Sequence, residues 1–292
     1  MKGLLLGERA SMPASLTEQF KQTGTSHIVA LSGYNITLVG AFFVDLLLLL
    51  TVPYRFTFWI ASTSIILFVL LTGASSSLVR ASIMGILLLV AQREGRQYQM
   101  TNALVFAGTV MVFINPYLLR FDIAFQLSFL ATMGLIYLTR PVERMINRIE
   151  RPIVIFLRGR KIHSEKEGRV RSTIKKMATQ TIAAQLAVLP LLISTFGSVS
   201  IITPITNIFV LIAIPSTMAL GFLTGFFGLL WRPLGIVCGW FAWIFLEYEL
   251  AIINLFSGIP FSMVQVSGFG RVLIIAGYVA IGFFWWRASK KI

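Results

Sequence analysis

The strongest constraint on this 292-residue chain is a succession of long apolar segments, at 27–52, 56–72, 78–92, 101–115, 121–139, 177–196, 201–231, 234–257 and 271–286. None alternates with the period of two that a barrel strand requires, so each reads as a helix or a broken helix. A helix crosses about 30 Å of hydrocarbon with about 20 mostly apolar residues. In lipid only helices and closed barrels satisfy every backbone polar group. The predicted fold is therefore all-α, a polytopic transmembrane helical bundle of about nine spans. Composition agrees: 57% of residues are apolar, 12% are charged and mean hydropathy is +0.83, more than a soluble domain of this size can hide.

Three segments carry particular expectations. Segment 201–231 counts as one of the nine spans, though Pro204, Asn207, Pro215, Gly221, Gly225 and Gly228 also suit a break into a re-entrant piece followed by a helix. Segments 78–92 and 101–115 are short for a full crossing, which predicts helices that are partly buried in protein or fail to traverse the bilayer. At the N-terminus, Leu4-Leu5-Leu6 is too short an apolar core for a cleavable signal, so the first 26 residues are expected to lie at the membrane surface. A single cysteine, Cys238, and two histidines, His27 and His163, argue against a disulfide, a zinc–thiolate cluster or a histidine-rich centre. No metal or cofactor is expected.

The chain carries a net charge of +14, and its placement speaks first of orientation. The stretch 140–176 holds twelve basic and four acidic residues. With nine spans, 19 of the 25 basic residues fall on one side: Arg55, Arg93, Arg96, those of 140–176, Arg232, Arg287, Lys290 and Lys291. The positive-inside rule makes that side cytoplasmic, with the N-terminus outside and the C-terminus inside. The stretch reads either as a loop that sets topology and meets anionic lipid, or as a docking surface for nucleic acid or a motor protein. Apolar residues at helical spacing from Arg140 to Ile149 predict an interfacial amphipathic helix in its first half.

Ionisable groups within spans cost about 2.5–3.5 kcal/mol each on insertion scales, so they face a bundle interior or a wet cavity. Asp45, Asp122, Glu247 and Glu249 are the acidic cases. Asp122 starts its segment and can cap a helix there. Trp240, Glu247 and Asn254 recur every seven residues and share one helix face, with Glu249 nearly opposite. Glu247 is the more suggestive of the two acids, either paired with a base on a neighbouring helix or serving transport. Arg80, after the small-residue turn of Leu71-Thr-Gly-Ala-Ser-Ser-Ser, either snorkels to the interface or lines a pore. Asp122 with Gln126, and Thr181 with Gln185, share helix faces and can bond across helices.

The run from Thr23 to Thr37 is the richest in polar residues, and its Ser32-Gly33 pair suits a helix that breaks inside a protein-lined cavity or one that kinks. His27 and Ser32 lie about 140° apart on a continuous helix at 100° per residue. With no third member and no nucleophile elbow, hydrolysis is not expected.

Together these segments resemble the membrane domain of the ComEC-type competence proteins. The resemblance rests on Leu6-Gly7-Glu8-Arg9, on Thr23-Gly24-Thr25-Ser26-His27-Ile28-Val29-Ala30-Leu31-Ser32-Gly33, and on Leu71 through Met84. It continues through Asn115-Pro116, Phe125 through Ala131, Ala184 through Pro190 and Phe196 through Ser200, followed by Pro204 and Asn207. It implies a single competence-type channel domain over 1–292, in the cytoplasmic membrane, passing single-stranded DNA inward during natural transformation. For such a channel the expected path is lined or shaped by His27, Ser32, Gly33 and Asn35, with Arg80, Gln126, Gln185 and Asn207 as neighbours, and a cytoplasmic motor or DNA-binding protein and a separate nuclease are the candidate partners. The family commonly has a histidine two residues after this Ser-Gly, where the chain has Asn35. Its oligonucleotide-binding and nuclease domains have no counterpart here, so DNA cleavage is not expected of this chain.

Overall fold

The computed structural model describes residues 12–29, 33–49, 51–157, 165–259, 263–265 and 270–289, and these are almost wholly helical. The elements run α1 (Ala14–Gln22), α2 (Ser26–Val29), α3 (Gly33–Leu49), α4 (Tyr54–Leu71), α5 (Ser76–Arg93), α6 (Met100–Ile114) and α7 (Leu118–Phe121). They continue with α8 (Ile123–Tyr137), α9 (Thr139–Leu157), α10 (Glu165–Phe196), β1 (Ser198–Ser200), α11 (Thr203–Leu230), α12 (Arg232–Ser257), β2 (Met263–Gln265) and α13 (Gly270–Ser289). The motif at Leu6–Arg9 lies outside the described residues.

Each predicted apolar segment coincides with helix. Among the described residues four helices are long and apolar enough to cross a membrane: Ser76–Arg93, Lys175–Phe196, Thr203–Leu230 and Arg232–Ser257. A fifth crossing arises if α8 and Thr139–Arg148, bent by 55° at their junction, form one broken span. Asn35–Leu49, Phe56–Leu71 and Met100–Ile114 are apolar but shorter. The outward surface is correspondingly oily, with Phe113 88% and Leu229 92% exposed. This is an all-α polytopic membrane protein.

Segment 201–231 is a single helix of span length, the unbroken 28-residue α11 with Pro215 inside it, and not the broken alternative; proline within a membrane helix is tolerated where neighbouring groups satisfy the freed carbonyl. Segment 78–92 reaches span length because Ser76, Ser77 and Arg93 join the helix, whereas α6 stays at 15 residues. The basic stretch 140–176 is helical through Leu157 in α9 and again from Glu165 in α10.

The chain divides into two compact units. The first comprises 1–126 and 209–259. In it α3, α4 and α5 pack on one another, α6 on α5, and α12 on α1. Its core joins Ile36 and Val39 of α3, Ile65 and Phe68 of α4, Leu78 and Leu89 of α5, Val210, Ile214 and Met218 of α11, and Ile253 of α12. Lipid tails are as apolar as these side chains, so close van der Waals packing rather than water exclusion holds such contacts. Helices α4 and α5 end alike. Gly73 (φ +82°) and Gly95 (φ +62°) adopt the left-handed conformation. The next amides, Ala74 N and Arg96 N, then bond back to Val69 O and Ala91 O at 2.9 and 2.8 Å, closing each helix in a Schellman turn.

The second unit comprises 127–208 and 260–292. In it α10 packs on α9, α13 and β1, and α9 on α13. Leu138 and the α9 residues Val142 and Ile146 fall at i, i+4 and i+8 and meet Ala183 and Ala187 of α10, while Arg140, Arg144 and Arg148 are exposed. The predicted amphipathic helix is thus present, and Lys175 of α10 donates to the Asn147 side chain of α9. Gly134 is what lets α8 approach α10: a Cβ there would lie 2.6 Å from Ala183 O and 2.7 Å from Ala187 Cβ. β1 pairs antiparallel with β2, Ser200 opposite Met263.

Candidate functional site

In the first unit the polar residues converge on the start of α5. The turn after α4 delivers Ser76, whose hydroxyl donates to Asp122 Oδ2. Asp122 Oδ1 in turn accepts from Phe125 N at 2.9 Å, which makes Asp122 the N-cap of α8 and ties two helix starts together. Gln126 Nε2 donates to Leu119 O at 2.8 Å and Arg120 O at 3.3 Å. The expected bonds across helices are therefore local ones for Gln126, which closes the α7 turn.

One turn after Ser76 stands Arg80, 9% exposed although it lies in a helix of span length. Gly33, the first residue of α3, packs beside it: a Cβ on Gly33 would stand 3.1 Å from Arg80 Nη2 and 3.1 Å from Ala81 Cβ. Arg80 Nη1 reaches 4.0 Å from Met84 Sδ, a turn further on. Tyr98, in the connection after α5, feels the same cation. Burial pushes its phenol above the ordinary range and the guanidinium partly offsets that shift. Arg80 therefore sits inside the protein rather than snorkelling. Asn35, two residues into α3, is 3% exposed. Thr23 and Thr25, both fully buried, bond to each other at 2.7 Å across Gly24 (φ +67°), so this part of the polar run is a self-satisfied turn. His27 lies in α2, where its backbone alone is described, and Ser32 lies outside the described residues.

The second unit holds Gln185 and Asn207. Gln185 Nε2, on α10, donates to Ser200 O at 3.2 Å, and Thr203 Oγ1 donates to the same carbonyl at 3.1 Å. Asn207 follows Thr203 by one turn of α11 and is 4% exposed. Ser200 and Thr203, which sequence reading did not single out, thus complete this group. Their signal was the run of small hydroxyl residues between two helices. Of the predicted site residues, Gly33, Asn35, Arg80 and Gln126 belong to the first unit, and Gln185 and Asn207 to the second.

The acidic residues also sort differently from expectation. Glu247 is exposed on α12, whereas Glu249 is buried, its Oε1 2.6 Å from Thr217 Oγ1 of α11. Asn254 accepts from Gln19 Nε2 at 2.9 Å, fastening α1 to α12.

Set against known proteins, the model of the Competence protein family matches residues 4–291. ComE operon protein 3 of Bacillus subtilis (strain 168) is 23% identical over 203 residues, which cover 70% of this chain and 23% of that relative's length. The chain thus corresponds to about a quarter of that protein. No solved structure matches it.

Proposed function

We propose that this chain, which belongs to the Competence protein family, serves DNA uptake as a membrane-embedded conduit for single-stranded DNA in the cytoplasmic membrane. The observation that carries the reading is the buried guanidinium of Arg80 with the bare Cα of Gly33 beside it. An ionisable residue buried in a helix of span length marks a path for charge by default, and a basic residue on such a path suits a polyanionic strand. In this reading Gly33, Asn35 and Arg80 shape the passage, and His27, Ser32 and Gln126 flank it. The similarity to ComE operon protein 3 supports the same assignment.

The lysine and arginine bias places 140–176 on the cytoplasmic side, where a motor or single-strand-binding partner would meet the emerging strand. Cleavage of the strand is assigned to another protein or domain. The test is passage of labelled single-stranded DNA into proteoliposomes. Arg80→Gln should slow passage and lower the slope of log rate against log salt by about 0.7, the loss of one phosphate contact to a single strand. Unchanged passage in the variant would remove Arg80 from the path.

A further inference from the structure

Three buried side-chain oxygens of the second unit accept no hydrogen bond among the described residues: Gln185 Oε1, Ser200 Oγ and Asn207 Oδ1. Gln185 lies on α10 well before its end, where β1 folds back beside it and leads into α11 with Ser200 and Asn207. Gln185 and Thr203 both donate to the Ser200 carbonyl, and Asn207 lies one turn beyond Thr203 on α11. Because the Gln185 nitrogen is committed to a carbonyl, which can only accept, its amide is oriented with Oε1 turned away from that bond. Ser200 and Asn207 are 7% and 4% exposed. Lone pairs buried in this way are a net cost unless something positive or hydrogen-bearing meets them.

The donor set selects the ligand. Phosphate is excluded, because acceptor oxygens repel its own. Calcium sites draw on carboxylates, and transition metals on imidazole or thiolate. Among the described residues no three His, Cys, Asp or Glu side chains could hold a metal together. Gln185 lies about three turns before the end of α10, so of the two helix ends the positive N-terminus of α11 bears on Ser200 and Asn207, and a ligand here is held by the side-chain oxygens against it. Neutral oxygens at an irregular joint between long membrane helices suit an alkali-metal cation, as carbonyl and unwound-helix oxygens do in channels and transporters.

We propose that this corner binds an alkali-metal cation through Gln185 Oε1, Ser200 Oγ and Asn207 Oδ1. The assignment stands whether or not DNA is the transported substrate. Binding of ²²Na⁺ to the purified full chain in detergent, without DNA, tests it. Saturable binding should be displaced by unlabelled Na⁺ or K⁺ and not by choline. Gln185→Leu and Asn207→Leu should weaken it at least about tenfold. Asn207→Asp keeps the size and adds a negative charge, so it should tighten binding by a similar factor. Ser200→Ala, the smallest change, should weaken it and serves if the leucine variants do not fold. Absence of saturable binding in folded protein, or affinity unchanged in both Ser200→Ala and Asn207→Asp, would overturn the proposal and leave a corner filled by water.

Discussion

The polar groups of the two units have opposite electrostatic sense. In the first unit the group is built on a donor, the Arg80 guanidinium, packed beside a glycine and set at the start of a helix whose first turn is held by Asp122. In the second it is built on acceptors, the Gln185, Ser200 and Asn207 oxygens around a helix–strand–helix joint. Residues of similar polarity in the sequence thus resolve into one environment that attracts an anion and another that attracts a cation. A polar residue in a membrane segment says that something wet or charged is near; only its neighbours say which charge.

The comparison can be broken from either side, and the largest effect should come from Gly134→Ala. Its new Cβ would meet the Ala183 carbonyl at 2.6 Å, a backbone atom that cannot swing away. Overpacking of this kind costs about 1–3 kcal/mol. We expect the unfolding midpoint in detergent to fall and cation binding to be lost, with the salt dependence of strand passage retained. Next, Thr217→Val removes the hydroxyl from buried Glu249, at a cost of about 1–3 kcal/mol for a buried group left without its partner. This pair lies outside both polar groups, so the variant should lower stability while leaving both the salt slope and the cation affinity unchanged.

Asp122→Ala sharpens the donor side: loss of an N-cap costs about 1 kcal/mol and frees the start of α5, so passage should slow while cation binding stays. Glu247→Gln should disturb the structure least: it removes a charge from the exposed face of a span-length helix, so the unfolding midpoint in detergent should hold or rise.

Much of the fold was legible because apolar length and period are local properties. The nine segments coincide with helices, and Gly-Ala-Ser-Ser-Ser is the predicted turn into α5. Val142 and Ile146 mark the buried face of α9 as their spacing implied. What stayed open was decided elsewhere in the chain. Pro204 and Pro215 also suited a break, yet proline is admissible at the first turn of a helix and within a membrane helix packed by its neighbours. The periodicity put Glu247 and Glu249 on different faces, but Thr217, about thirty residues earlier, determines which face is inward. The choice between a snorkelling and a buried Arg80 was settled by packing with another helix, where Gly33 lies beside the guanidinium. Asp122 read correctly as a cap, because capping is a matter of a few adjacent residues.

The account rests on Arg80 as a contact for the strand, and the most direct test is the rate of single-stranded DNA passage into proteoliposomes across a salt series, wild type against Arg80→Gln. The prediction is slower passage at every salt concentration and a log–log slope shallower by about 0.7. Equal rates and equal slopes in the two proteins would contradict it.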